Sequence, residues 1–407
     1  MKVAFIASEY NPFHNGHEYH IRETKKSGVD AVVCIMSGNF VQRGDIAVAS
    51  KHIRAKTALM SGADLVIELP LKYAVSTASL FAEGFVRTAK ATGLDGIFSF
   101  GAKNDITELN KVKDIIYSED AEKFANECIS SGVNYPSAIS QFLKMHDEGK
   151  YSDILDDANN ILSLEYLNAI DKFFPEASAM SVHRKGAMHD SSQISEDITS
   201  AGNIRRMLYE DISDNDFINN IYSFKEYVPE HVFNELLMTY SSGLFPANKG
   251  KFEISLLSRL ISCSPEYLSS VNNVNGGLEN RIFEAINRSS DLESLYESVK
   301  TKAFTHARIR QIVLSAALGV TRDDINAGIS YIRVLGFNDK GRALLNSMRK
   351  KSSLPIITNL SQADLTDERT KRDVYIDSLA GKLFNLCLPC PISGNPEYDI
   401  PPVYIKN

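Results

Sequence analysis

The sequence predicts an α/β protein: a parallel sheet with helices on both faces, followed by a mainly α-helical C-terminal domain. Three observations carry this expectation. The first half alternates short apolar runs with amphipathic stretches, the pattern of β-loop-α units. The alternation stops after Ser241–Lys251 (SSGLFPANKGK), a stretch bearing Gly, Pro and Lys. The residues able to do chemistry follow the apolar runs, where ligands of open parallel sheets bind.

Lys2–Ser8 (KVAFIAS) reads as a buried first strand and Gly16–Lys26 as the helix after it. Ala31–Met36 (AVVCIM) is a second strand. Lys51–Ser61 is a helix stopped by Gly62, a residue type suited to helix ends. Leu65–Glu68 forms a third strand before Pro70. Ser76–Thr88 is helical, and Gly96–Phe100 is a fourth strand before Gly101. From Asp105 to Leu155 the pattern is helical and polar. Asn159–Ile170 is a loop entering a helix, Ala177–His183 a fifth strand, and Gly186–Thr199 a loop rich in Ser, Asp and His. Ser200 suits the N-cap of a helix over Ile204–Glu210. Beyond the boundary, Ile254–Leu268, Leu278–Asn287, Leu292–Val299, Ala307–Gly319 and Asp323–Leu335 read as helices. The expected domains are residues 1–240, which carry the candidate site, and residues 250–407.

A length of 407 residues suits two or three domains. A net charge of −7 excludes a uniformly basic nucleic-acid binder but leaves room for a local basic face. No stretch approaches the roughly 20 apolar residues of a membrane span. The apolar run before Ser8 is too short for a signal peptide. Five cysteines without framework spacing fit a reducing compartment, so a cytoplasmic location is expected. Cys387 and Cys390 form one CxxC pair with no second pair near it, so these read as buried or incidental thiols.

The segment Asn11-Pro12-Phe13-His14-Asn15-Gly16-His17 follows the first strand and opens the first helix. Pro12 stiffens the turn and Gly16 admits close approach of backbone to a ligand. A helix N-terminus offers unpaired N–H groups and a positive dipole end, which favour phosphate. Two imidazoles in such a turn can stabilise charge that builds on an attacked phosphate.

This context, EYNPFHNGH, resembles the HxGH signature of the nucleotidylyltransferase superfamily. A longer series, in order SGNFVQRGDIAVASKHIRAKTAL (Ser37–Leu59), GADLVIELP (Gly62–Pro70), ANNILSLEYL (Ala158–Leu167) and GLENRIFEA (Gly277–Ala285), resembles the bacterial tRNA(Met) cytidine acetate ligase family. The resemblance implies a Rossmann-like nucleotidylyltransferase domain that binds ATP, with Mg²⁺, and forms acetyl-adenylate from acetate. It implies transfer of the acetyl group to the wobble cytidine of elongator tRNA(Met), giving N4-acetylcytidine. Carried onto this chain, it assigns ATP contacts to Ala7, Ser8, Glu9, Tyr10, Asn11, Pro12, Phe13, His14, Asn15, Gly16, His17, His20, Gly101, Asn160, Arg184, Lys185, Ser200 and Arg205. His14, His17, Lys51 and Arg205 are the expected catalytic set. The chain departs from the family at Gly101-Ala102-Lys103-Asn104, where a Gly-Ser-Glu-like turn is usual, and at Met188, where an aromatic is usual.

The other constellations are read as follows. Gln42 and Arg43, after the second strand, can reach substrate or phosphate. Asn is a good N-cap, so one of Asn159 and Asn160 caps a helix; Asn160 is preferred for the ligand. Arg184 suits bidentate phosphate contact. Ser200-Ala201-Gly202-Asn203-Ile204-Arg205 resembles the superfamily's second phosphate signature. The stretch Ala303–Lys351 is rich in Lys and Arg, and Arg308, Arg310 and Arg342 are the expected tRNA contacts. Neither a metal-ligand cluster, a protein partner nor a membrane contact is expected. Two rival functions are a small-molecule adenylyltransferase of the HxGH superfamily and an RNA-binding protein without catalysis. The length beyond the nucleotide motifs speaks against the first, and the intact motifs against the second.

Overall fold

The structure, a computed structural model, describes residues 1–147, 149–183, 198–210, 217–301 and 304–406. The strands, in chain order, are β1 (Val3–Ser8), β2 (Ala31–Ser37), β3 (Phe40–Val41), β4 (Asp45–Ile46), β5 (Leu65–Leu69), β6 (Gly96–Ala102), β7 (Ser178–His183), β8 (Ile332–Phe337), β9 (Ile356–Ile357) and β10 (Val403–Tyr404). One sheet has the order β10-β8-β5-β2-β1-β6-β7, with β9 also beside β8; β3 and β4 form a separate hairpin.

Strands β5, β2, β1, β6 and β7 run parallel, as expected. Every residue of β2 is buried, as a strand covered on both faces must be. The pleat sends alternate side chains to opposite layers. Val33, Ile35, Leu65 and Ile67 share a core with Phe81 and Phe85 of the helix Ala78–Ala91. Val32, Cys34, Met36 and Val66 share another with Ala55, Ala58 and Leu59 of the helix Lys51–Met60. The expected strands and helices of this half are present with ends moved by a few residues.

The second half departs from expectation at two places, the first being Ile254–Leu268, which is divided between the helices Lys249–Leu260 and Pro265–Ser270. Its helices include Lys249–Leu260, Leu278–Arg288, Leu292–Val299 and His306–Leu318, but Asp323–Leu335 is not one helix. A short helix, Arg322–Asn326, precedes Gly328, whose positive φ of 73° turns the chain out of helix. The apolar run that follows is β8, antiparallel to β5 with Leu65 opposite Phe337. Its β-branched and aromatic content suits a short buried strand. Val403 of β10 then pairs with Gly336. The sheet therefore draws strands from both sides of the expected division at residues 240–250. The remaining helices build a third core around Leu256, Ile282, Ile309 and Ile312, joined by Ile376 and Phe384 of the long helix Glu368–Leu386 and by Phe40 and Ile46 of the β3–β4 hairpin.

No helix among the described residues is long and apolar enough to cross a membrane. All five cysteines are free thiols; in the CxxC pair Cys387 is buried and Cys390 exposed.

Candidate active site

Strand β1 ends at Ser8, and the next turn delivers His14 as the N-cap of the helix Asn15–Lys26. His14 Nδ1 accepts from the backbone N–H of Gly16 at 3.1 Å. The backbone N–H of His14 donates to His17 Nδ1 at 3.2 Å. Each neutral ring therefore carries its proton on Nε2 and is a donor there. The two rings stack with centroids 3.6 Å apart. Gly16 is required by this arrangement: a Cβ there would lie 2.9 Å from His14 Cε1.

The rest of the turn is anchored to the core. Tyr10 and Phe13 are buried, and Tyr10 packs edge-on against the His17 ring, 4.9 Å between centroids. Burial drives the Tyr10 phenol well above its ordinary pKa, so it stays neutral. Asn11 Oδ1 accepts from Val48 N at 2.8 Å. His20 Nε2 meets Ser99 Oγ at 3.0 Å, tying the first helix to β6.

A second helix start faces the same space. Ser200 caps the helix Ala201–Tyr209 by accepting from Asn203 N at 3.0 Å. Arg205, about one turn on, donates from Nη1 to the carbonyl of Asn11 at 2.7 Å. Between the two helix starts lies a cleft of about 500 Å³, within the range of small-molecule sites. Ala7, Ser8, Glu9, Tyr10, Asn11, His14, Gly16, His17, His20, Gly101, Ser200 and Arg205 all line it. The cleft thus sits beyond the carboxyl ends of β1 and β6, with two positive helix ends opening onto it.

Other expected residues stand elsewhere. Pro12 and Phe13 are buried beneath the turn, and Asn15 Nδ2 donates to the Glu226 carbonyl at 2.9 Å. Arg184 and Lys185 lie outside the described residues, as do Met188, His189 and Asp190. Asp157, not an Asn, caps the helix Ala158–Phe173. Asn160 is fully buried; its Oδ1 accepts from Lys103 N at 3.1 Å and its Nδ2 donates to Asn104 Oδ1 at 2.8 Å. It braces the turn after β6, and its neighbour Asn159 lines the cleft.

Lys51 is also placed differently from expectation. Its buried ammonium donates to both carboxylate oxygens of Glu68, at 2.8 and 2.7 Å, and to Glu397 Oε2 at 2.6 Å. It is absent from the cleft lining. Burial lowers the Lys51 pKa, but Glu397 and Glu68 outweigh it and the net shift is upward. Arg333 Nη2 donates to the Glu397 carbonyl at 3.0 Å, and Tyr331 donates to Asp377 close by. Burial first, and Glu68 second, push the Asp377 carboxyl up to about 7. This buried charge cluster fastens the C-terminal segment to the first half of the chain.

The three Arg expected to bind tRNA do not share a face. Arg308 and Arg310 stand on the helix His306–Leu318, which also puts Ala307 and Gln311 into the cleft lining. Arg308 rests over Phe304 and Arg310 over Tyr296. Arg342 lies on the helix Asp339–Lys351, whose Lys340 reaches the Asp30 carbonyl and whose cap Asn338 reaches Asp64. Asp30 and Asp64 precede β2 and β5, so Arg342 sits at the opposite end of the sheet from the cleft.

Comparison with known proteins agrees with this geometry. The HIGH Nucleotidyl Transferase family model matches residues 1–395. A tRNA(Met) cytidine acetate ligase of Acetivibrio thermocellus is 35% identical, with 96% of each chain covered. That of Halothermothrix orenii is 32% identical over the whole of both chains. A crystal structure of Thermotoga maritima TmcAL bound with alpha-thio ATP superposes with a TM-score of 0.89, at 30% identity and complete coverage of both chains. The chain belongs to the tRNA(Met) cytidine acetate ligase family of HIGH nucleotidyl transferases.

Arg54, within the Ser37–Leu59 motif, has a role that was not apparent from sequence, and together with Glu9, expected as an ATP contact, it holds this site together. Arg54 is buried, and its guanidinium donates to the carbonyls of Ala49 at 3.0 Å, Glu9 at 2.5 Å and Ser37 at 3.1 Å, and to that of Gly38. It thereby clamps the turn after β1 to the turn after β2. Burial lowers its pKa to about 10, which leaves it charged at neutral pH. Glu9 reinforces the clamp: its Oε1 accepts from Gln42 N at 2.8 Å.

Proposed function

We propose that the chain is an ATP-dependent ligase that joins acetate to the wobble cytidine of elongator tRNA(Met) through an acetyl-adenylate. The observation that carries this reading is the convergence of two helix N-termini, with His14, His17, Ser200 and Arg205, on one cleft. Membership of the ligase family supports the choice of substrates. Acetate is a poor acyl donor. Attack of its carboxylate oxygen on the α-phosphate of ATP expels pyrophosphate and gives a mixed anhydride, from which AMP departs readily. The Nε2–H groups of His14 and His17 donate to phosphate oxygens as charge builds in that attack. Ser200 and the first turn of its helix, with Arg205, hold the β- and γ-phosphates. Positioning and electrostatics suffice for such a transfer, without a covalent protein nucleophile.

Among the described cleft residues Glu9 is the one carboxylate, and Gln42 already engages it. These residues do not make a dedicated Mg²⁺ site, so Mg²⁺ enters with the phosphates as part of the ATP substrate. In this reading Arg308 and Arg310, beside the cleft, contact tRNA phosphates, and Arg342 does not.

The test is exchange of labelled pyrophosphate into ATP. Exchange that depends on acetate is the expected result. Exchange that ignores acetate and depends on a phosphomonoester would instead identify a small-molecule adenylyltransferase.

A further inference from the structure

The cleft has a second wall that the adenylation step does not use. The tip of the β3–β4 hairpin, Gln42-Arg43-Gly44, abuts the helix His306–Leu318. Gly44 has a positive φ of 72°, and a Cβ there would lie 2.5 Å from the Arg310 backbone carbon, so hairpin and helix touch backbone to backbone. Gln311 Nε2 donates to the Gln42 carbonyl at 2.6 Å and to the Ser76 carbonyl at 3.0 Å. Both partners are carbonyls, so the amide orientation is forced: nitrogen toward the backbone, Oε1 as the remaining polar atom. Gln42, Arg43, Ala307 and Gln311 all line the cleft. Ala307 and Gln311 are one helical turn apart on the same face. Ala307 is exposed and Gln311 half-buried, so the wall runs from the mouth inward.

A cytosine base carries an N4–H₂ donor, and its ring nitrogen and O2 are acceptors. An acceptor fixed in the wall matches the N4–H₂ of that edge; uracil, with an oxygen at position 4, does not match it. A base presented from a tRNA loop must be splayed out to be read in this way.

We propose that Gln311 Oε1 accepts from the exocyclic amine of the acceptor cytosine, and that Ala307 marks the opening through which the base enters. This rests on the ligase reading above. In the step, N4 forms a bond to the acyl carbon of acetyl-adenylate and the bond from that carbon to the AMP phosphate oxygen breaks. AMP leaves with the electron pair, and one N4 proton passes to solvent at the cleft mouth. The other N4 proton stays on N4, hydrogen-bonded to Gln311 Oε1. Gln311 is a specificity and positioning residue for the second half-reaction, and the helix that carries Arg308 and Arg310 delivers the tRNA to it.

The experiment compares Gln311→Met and Ala307→Leu with the full-length wild-type chain in three assays. These are acetate-dependent ATP–pyrophosphate exchange, single-turnover acetyl transfer from preformed enzyme-bound acetyl-adenylate to tRNA, and tRNA binding. Gln311→Met removes the acceptor at similar volume but also the donor to the Gln42 and Ser76 carbonyls, so Ala307→Leu, which narrows the entrance without touching those anchors, separates loss of the base site from loosening of the wall. The proposal expects exchange and tRNA affinity within about threefold of wild type and transfer lowered by about 10²-fold, the scale of a misplaced reacting group. Wild-type transfer in both variants would overturn it. Parallel loss of exchange and transfer would also overturn it, since the residues would then serve the adenylation site or the fold. If the wild-type chain forms acetyl-adenylate but transfers nothing to tRNA, the ligase reading itself fails, and the proposal with it.

Discussion

Arg205 donates to the backbone carbonyl of Asn11 at 2.7 Å, joining positions 194 residues apart in the chain. The bond holds the guanidinium of the second phosphate signature against the turn of the first. A guanidinium has five N–H donors in a planar fork, so it can keep the Asn11 carbonyl and still present donors to phosphate. Arg205→Lys supplies charge without the fork. It should lower acetate-dependent exchange by about 10²-fold and raise the KM for ATP, while the thermal midpoint moves by only a few degrees. Near-normal exchange in Arg205→Lys would show that charge alone is needed there.

The backbone N–H groups of Gly16 and His14 fix the tautomers of His14 and His17, and the two rings stack on each other, so replacing either strips the other of a packing partner. His14→Ala and His17→Ala should each slow adenylate formation by about 10²–10³, the usual effect of removing one transition-state donor. Because the two rings stack with centroids 3.6 Å apart and the loss of one loosens the other, the double variant should fall by less than the product of the single effects. Rates from a stopped-flow pyrophosphate assay check both statements.

The buried charge cluster predicts a pH dependence of stability rather than of catalysis. Asp377 titrates near 7 in the folded chain because burial and Glu68 disfavour its charge. An unfolded Asp titrates near 4. Between those values the native state holds a proton that the unfolded state has released, so stability falls as pH rises, by up to roughly 1.4 kcal/mol per pH unit. Below about 4 both states are protonated and this group adds no slope. Asp377→Asn keeps the neutral form at every pH. Its urea midpoint should therefore vary less than that of wild type between about pH 5 and about pH 7. Identical pH profiles for the two proteins would show that Asp377 does not set this slope.

The position of the basic residues predicts unequal effects on tRNA. Arg308→Ala with Arg310→Ala should weaken tRNA binding and flatten its dependence on log salt by up to about one unit for each phosphate no longer neutralised. Arg342→Ala, on the far end of the sheet, should leave both unchanged. Filter binding across a salt series decides this, and equal effects from both ends of the molecule would contradict the placement. The Gln311–Gln42–Glu9 hydrogen bonds connect the Arg308 helix to the phosphate turn, so adenylate formation in the double variant measures how tightly the two regions are coupled.

Much of this site is legible in the sequence because its parts are local. The HxGH turn and the Ser200–Arg205 segment each place their chemistry within about one helical turn, and the strand before the first is a short apolar run. The misplacements have a different origin. Lys51 stands just after a loop at the cleft rim, and its partner Glu397 lies 346 residues away, so the ion pair that buries it has no local signature. Asn159 and Asn160 point about 100° apart on a helix, and only packing decides which one meets the cleft. Arg54 sits in KHIRAK, whose sequence predicts a helix but not what the guanidinium meets; its carbonyl partners come from several loops. Strand β8 is hidden in the sequence because a short apolar run after a helix can continue that helix or pair with a sheet, and the pairing partner, β5, stands far back in the chain.

The central claim is most directly tested by incubating the full chain with labelled acetate, ATP and total bacterial tRNA, then digesting the tRNA and separating its nucleosides. The predicted result is label in N4-acetylcytidine, confined to the wobble position of elongator tRNA(Met) and dependent on ATP. Pyrophosphate release with no acetylated nucleoside would contradict it.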